Sequence, residues 1–198
     1  LTFKTVGTII SHYWIYKDRF EESETNYLKR LDKMLGILLN GLGDYNLQVK
    51  QSAFSVIGRE IFDTDYMDLT KKEFIFKRTA KKILTLITDN ENQELLFLTR
   101  SASLNHIYRF ISDYTFFYGN IDIPFPQKVA FFPGTFDPFS LSHKEIAKYI
   151  RDLGFEVYLS IDEFSWSKKT LPNLLRRNLV TMSTASELNI YLYPDMYP

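Results

Sequence analysis

No cysteine occurs in the chain. That excludes a disulfide framework, a thiol nucleophile and any cysteine-ligated zinc or iron–sulfur centre. It fits a reducing compartment. No proline occurs before Pro124, so helices can run uninterrupted through the N-terminal part. Neither sign of charge predominates. There are 24 Lys and Arg against 24 Asp and Glu, with 16 of each sign over residues 1–124 and 8 of each over 125–198. Nucleic-acid binders carry a basic excess or stripe, so duplex binding is disfavoured. The longest apolar stretch, around residues 34–39, falls far short of the roughly 20 residues a membrane helix needs. No signal-peptide pattern opens the chain. The histidines, His12, His106 and His143, lie far apart and form no metal-ligand spacing.

What is present is a chain of 198 residues, enough for one or two domains and for a real core. The aromatic content is high, with 17 Phe, 13 Tyr and 2 Trp, and most of these rings are expected to pack inside. The chain starts at Leu1 without methionine and stops at Tyr197-Pro198 just after a strand-like run. This reads as a piece of a longer protein.

Residues 1–122 read as a helical domain. Leu1, Phe3, Val6, Ile9, Ile10, Tyr13 and Trp14 recur at helical spacing. Ser23 or Thr25 caps a second helix with Leu28, Leu31, Leu35 and Leu38 on one face, stopped by Gly41/Gly43. A third helix runs from about Asn46 to Phe62. A fourth, capped by Asp68 or Thr70, buries Phe74, Ala80, Ile83, Leu84 and Ile87. After the polar break at 89–92, two further helical stretches cover Glu94–Thr99 and Leu104–Tyr118. This region offers no catalytic constellation. His12 and His106 read as structural. The acidic cluster Asp63, Asp65 and Asp68 lacks the glycine and terminal glutamate of a calcium loop.

Ile123-Pro124-Phe125-Pro126 marks a boundary, because closely spaced prolines favour extended backbone. Residues 123–198 then alternate strand and helix. The expected strands are 129–132, 155–161 and 190–193, and the expected helices 142–153 and 173–187. Val129-Ala130-Phe131-Phe132 is a continuous apolar run, as expected for a strand covered on both faces. Ile146, Ala147, Ile150 and Leu153 should face inward from the first helix, and Leu174, Leu175, Val180 and Met182 are among the apolar positions of the second. The alternation argues for a parallel, Rossmann-like sheet. The fold class is thus all-α followed by α/β.

The chemistry-bearing segment is Phe132-Pro133-Gly134-Thr135-Phe136-Asp137-Pro138-Phe139-Ser140-Leu141-Ser142-His143, where the first strand gives way to the first helix. In open α/β sheets ligands bind at the carboxyl ends of strands. Helix N-termini present free N–H groups suited to phosphate. Gly134 permits close backbone approach to a ligand. Ser140 and Ser142 supply hydroxyls at the helix start, and His143 can donate to a phosphoryl oxygen from the first turn. The plainer reading is a capped strand-to-helix turn with a surface histidine.

This stretch resembles the signature of the HxGH nucleotidyltransferases, Gly-(Ser/Thr)-Phe-Asp-Pro-(apolar)-His-x-Gly-His. Gly134, Thr135, Phe136, Asp137, Pro138 and His143 match it. Ser140 stands at the first histidine and Ser142 at the glycine. A second segment, Ser167-Lys168-Lys169-Thr170-Leu171-Pro172 followed by Arg177, is similar to the family's basic loop and arginine-bearing helix. The resemblance covers roughly residues 127–198. It implies that His143, Lys168 and Lys169 are catalytic, and that Gly134, Thr135, Phe136, Asp137, Ser140, Ser142 and Arg177 bind or order nucleotide phosphates. Trp166 reads either as a ring stacked on a base or as a core residue. Asp162 and Glu163 end the second strand within reach of a ligand hydroxyl. A complete family domain has about five strands, so the remainder is expected beyond Pro198.

By this resemblance the parent protein is a cytoplasmic enzyme. It transfers an adenylyl group from ATP, with Mg²⁺ carried by the triphosphate, to nicotinate or nicotinamide mononucleotide or a similar phosphorylated acceptor, releasing pyrophosphate. The expected partners are small-molecule nucleotides and further domains of the parent chain, with no membrane and no nucleic acid. A homo-oligomer is left open. The alternative is a helical interaction or regulatory module fused to a degenerate nucleotidyltransferase domain.

Overall fold

The computed structural model describes residues 2–19, 21–88, 94–162 and 169–193. The chain forms two compact units, Leu1–Ile123 and Pro124–Pro198. It is mostly helical, with one small parallel sheet. No helix among the described residues is long and apolar enough to cross a membrane.

The first unit contains α1 (Phe3–Ile15), α2 (Glu24–Leu42), α3 (Leu47–Val56), α4 (Leu69–Thr88) and α5 (Glu94–Tyr118). Side-chain caps define the starts. Ser23 Oγ accepts the Asn26 N–H at the head of α2, Asn46 Oδ1 accepts from Gln48 and Val49 at α3, and Asp68 Oδ1 accepts from Lys71 at α4. Each satisfies a donor the helix itself leaves free. Gly43 ends α2, whereas Gly41 lies inside it. A Cβ at Gly41 would meet the Phe3 ring at 2.6 Å and Ala53 at 2.8 Å, so this glycine serves close packing rather than termination.

The helix expected over 46–62 changes pitch after Val56, where Ile57–Phe62 widens into a π-helical turn. Hydroxyls from two neighbouring helices bond carbonyls in and just before this turn. Here Ser11 Oγ donates to Glu60 O at 2.8 Å, and Ser103 Oγ donates to Phe54 O at 2.8 Å. Gly58 lets α5 come close, since a Cβ there would lie 2.9 Å from Ser103 Cα. The same contact corrects the reading of two helical stretches after residue 93. The serine-containing segment 101–103 does not break the helix, because the buried Ser103 hydroxyl is satisfied across the interface. In α4, Leu84 is 59% exposed, and Ile75 and Leu86 are buried in its stead. The polar break expected at 89–92 lies outside the described residues.

The core of this unit includes Ile10, Leu31, Leu38, Leu39, Ala53 and Ile61. Trp14 stacks between Tyr27 and Phe74, and Phe110 meets Phe62 and Phe76. Other rings, among them Tyr45, Tyr108, Phe116 and Phe117, stay exposed. Asp63 faces His106 at 3.0 Å and Arg109 at 3.2 Å, and Asp68 is committed to the α4 cap.

The second unit runs β1 (Val129–Gly134), α6 (Leu141–Asp152), β2 (Glu156–Ile161), α7 (Asn173–Thr184), β3 (Ile190–Leu192). The strands are parallel in the order β1-β2-β3, with Phe132 opposite Leu159 and Tyr158 opposite Tyr191. Phe136, Ala147, Val157, Leu159, Val180 and Ile190 form its buried cluster, drawn from the β1–α6 turn, both helices, β2 and β3. Strand order that advances in one direction, with crossovers of one hand, puts both helices on one side of a sheet. The expectation that β1 is covered on both faces is therefore corrected. Phe131 is 62% exposed and lies against Tyr158 on the other face.

The helix faces also differ from expectation. Ala147 is buried, but Ile146 and Leu153 are exposed. In α7 the inward stripe is Arg176, Val180 and Thr184, four residues apart, while Leu174, Leu175 and Met182 are exposed. Gly154, with φ of +89°, closes α6 in the left-handed conformation that glycine adopts without a Cβ penalty.

Candidate functional site

The turn from β1 to α6 is built around Phe136. This residue has φ of +46° and is 3% exposed. Such a backbone costs an L-residue about 1 kcal/mol or more, and burial of the ring offsets it. The ring packs edge-on to Phe132 at 5.5 Å, Phe139 at 5.2 Å and His143 at 5.3 Å between centroids. Gly134 makes room for it: a Cβ there would lie 2.8 Å from the Phe136 ring. The space at Gly134 is thus taken by this chain's own phenylalanine.

The start of α6 is a reciprocal cap. Ser140 Oγ accepts the His143 N–H at 3.4 Å, and the Ser140 N–H donates to His143 Nδ1 at 3.0 Å. Ser140 Oγ also lies 3.0 Å from Nδ1. An Nδ1 that accepts a backbone N–H carries no proton in the neutral ring, so the proton sits on Nε2. The hydrogen-bond pattern assigns this tautomer. The imidazole stacks on Phe139 at 5.7 Å and is half-buried. His143 therefore presents a fixed Nε2–H donor beside the first turn of α6, whose own N–H groups lack helical acceptors. Ser142 is exposed in that turn.

Two further ties gather the loops at the carboxyl ends of β1 and β2. Asp137 Oδ2 accepts the Leu171 N–H at 2.8 Å, and the Asp162 N–H donates to Gly134 O at 3.1 Å. The third is Arg176, which is 1% exposed. Its Nη1 donates to Thr135 O at 2.7 Å and Asp162 O at 2.9 Å, and its Nε donates to Leu171 O at 3.0 Å.

The structure thus joins Thr135, Asp162 and Leu171 through Arg176, Gly134 to Asp162, Asp137 to the loop before α7, and Ser140 to His143. Lys169 is exposed, two residues before Leu171, and Arg177 is half-buried. Lys168, Trp166 and Glu163 lie outside the described residues. Reading the sequence singled out Arg177 and passed over Arg176. The signal was present, because Arg176 shares the spacing of Val180 and Thr184, but an arginine on an inward stripe runs against ordinary burial preferences.

On the flank of α6, Glu187 receives Lys144 at 3.1 Å and Arg151 at 2.8 Å. Burial raises the Glu187 carboxyl pKa, but these two cations together outweigh it and hold the group below its ordinary range. No group of three or more His, Asp or Glu able to hold a metal ion occurs among the described residues.

What the geometry defines is a class of site: a strand-to-helix turn of a parallel α/β unit, with a fixed imidazole donor and cross-tied loops. No protein-family model, curated protein or solved structure matches the chain.

Proposed function

We propose that the second unit is the first half of a Rossmann-like nucleotidyltransferase domain of the HxGH type. Its parent protein would transfer an adenylyl group from ATP to nicotinate or nicotinamide mononucleotide or a related phosphorylated acceptor. The observation that carries this reading is the Ser140 N–H to His143 Nδ1 bond. It leaves an Nε2–H donor at the head of α6, directly after Gly134-Thr135-Phe136-Asp137-Pro138. Parallel α/β sheets place their ligands at such strand ends.

In this reading an acceptor phosphate oxygen attacks the α-phosphorus of ATP in line. The new P–O bond forms as the bond to the bridging oxygen breaks, and that electron pair leaves with pyrophosphate. Such chemistry rests on positioning and charge stabilisation more than on a covalent nucleophile. His143 Nε2–H and the free N–H groups of α6 donate to phosphoryl oxygens, and Lys169, with Lys168, supplies positive charge. Thr135 and Phe136 shape the cradle, and Ser140 acts on it by fixing the imidazole. Mg²⁺ arrives on the triphosphate as part of the substrate.

The test is pyrophosphate release by the full-length protein with ATP, Mg²⁺ and candidate mononucleotides. His143→Ala should lower the rate by about a hundredfold or more. An unchanged rate removes His143 from the mechanism. The second reading, a helical interaction module on a degenerate domain, is favoured by two observations. The Ser140 hydroxyl is engaged in the α6 cap, and Tyr108, Phe116, Phe117 and Tyr118 are exposed along α5. ATP binding without pyrophosphate release with any acceptor favours this reading over the first.

A further inference from the structure

We propose that Arg176 is a positioning residue that orders the loops at the carboxyl ends of β1 and β2 to receive a polyanionic ligand, a nucleoside triphosphate in class. The ligand's identity rests on the function proposed above, while the ordering of the loops stands apart from it. A buried guanidinium is costly unless its donors are satisfied. Here they reach carbonyls of three separate segments: Thr135 in the β1 turn, Asp162 after β2, and Leu171 before α7. Val180 and Thr184, on the same stripe of α7, are equally buried without such reach. Packing of α7 on the sheet alone therefore does not call for an arginine.

The choice of carbonyls matters to an anion. Carbonyl oxygens at strand ends present the negative end of the peptide dipole where the ligand would sit. Arg176 turns two of them, on Thr135 and Asp162, and the Leu171 carbonyl before α7 onto a cation. It thereby holds the turn that carries His143 in register with the loop that carries Lys169. Asp137 repeats the connection from the other side, accepting the Leu171 N–H. Lysine would keep the charge but lacks the planar fork that serves Thr135, Asp162 and Leu171 together.

The test compares the full chain with its Arg176→Lys variant in two measurements. Amide hydrogen exchange by NMR reads the Leu171 and Asp162 N–H groups, with Val157 and Leu159 of β2 as internal references. Calorimetry reads MgATP affinity. In the variant the two loop amides should exchange about tenfold or more faster while the references hold, and MgATP affinity should fall by about tenfold or more. Unchanged loop protection overturns the positioning role. Loosened loops with unchanged MgATP affinity overturn its bearing on the ligand and leave a purely structural arginine. Absence of MgATP binding by the wild type overturns the nucleotide reading, and the exchange measurement still decides whether Arg176 holds the loops. Should the variant fail to fold, the wild-type Arg176 Nε–H decides: slow exchange supports the clamp, and free exchange overturns it.

Discussion

In the helical unit, buried hydroxyls hold helices to one another; in the α/β unit, a buried guanidinium holds loops. Ser11 and Ser103 donate to Glu60 and Phe54 carbonyls 49 residues away, and both bonds lie between helices around the π-helical turn. Arg176 donates to carbonyls at strand ends. Neither hydroxyl costs as much to desolvate as the guanidinium, and the two arrangements order different things. The first sets how rigid rods pack. The second sets segments without regular structure of their own, which is where ligands are met. A buried polar group aimed at loops is thus a stronger pointer to a site than one aimed at a helix.

The largest expected effect sets the two cores against each other. Phe136→Ala should cost about 3–5 kcal/mol, and Leu31→Ala in the helical core about 3 kcal/mol. A unit of this size holds only a few kcal/mol in all, and the α/β unit has a small cluster beneath a sheet whose β1 edge leaves Phe131 exposed. Phe136→Ala should therefore abolish hydrogen-exchange protection in β2. Leu31→Ala should leave the helical unit folded, as read by near-ultraviolet dichroism of the stacked Trp14. Retained protection at Val157 and Leu159 in Phe136→Ala would break the contrast.

Gly134→Ala should cost about 2 kcal/mol by forcing its Cβ against the Phe136 ring. A urea midpoint equal to wild type would show that the ring has room to yield. Glu187→Gln should cost about 1.5 kcal/mol by weakening two charge-assisted hydrogen bonds, with the loss confined to the α/β unit. Its folded pKa is lowered, so its contribution is complete above the unfolded carboxylate range and declines as pH falls below it. In the Gln variant that part of the acid dependence should vanish from urea titrations.

The smallest effect lies in the helical unit. Asp68→Ala should cost about 1 kcal/mol through loss of the α4 cap. Burial raises the Asp68 pKa, but hydrogen bonds from Lys71 and Thr70 outweigh this and bring it down to about 2. The cap's contribution is therefore present above the ordinary Asp range and is lost as pH falls towards about 2. Urea midpoints for wild type and Asp68→Ala should converge there, and a constant separation down to that pH would remove the cap from the account.

Much of the local structure was legible in advance. The caps of α2 and α4 were legible to within a pair of residues, Ser23 or Thr25 and Asp68 or Thr70, and the structure uses Ser23 and Asp68. The order β1, α6, β2, α7, β3 followed from alternating patterns. The candidate turn was legible as a motif, but its internal wiring was not. Nothing local announces that Gly134 yields to the Phe136 ring, or that Asp137 reaches Leu171, 34 residues on. The exposed Leu84, Ile146 and Leu174 show the same limit on the apolar side, since periodicity marks a face without showing how wide a partner will cover it.

The sequence by itself determined where most of the helices and the strands lie, where most helices begin, and which turn carries the imidazole. Those outcomes depend on hydrogen bonds and φ/ψ preferences that act over a few residues. Tertiary structure alone decided that β1 has one bare face, that Arg176 rather than Arg177 is buried, and how the two loops at the strand ends are tied. These depend on burial beside groups as much as 41 residues away, as in the bond from Arg176 to Thr135, where the cost of desolvating a charge is met only by partners that the fold itself brings together.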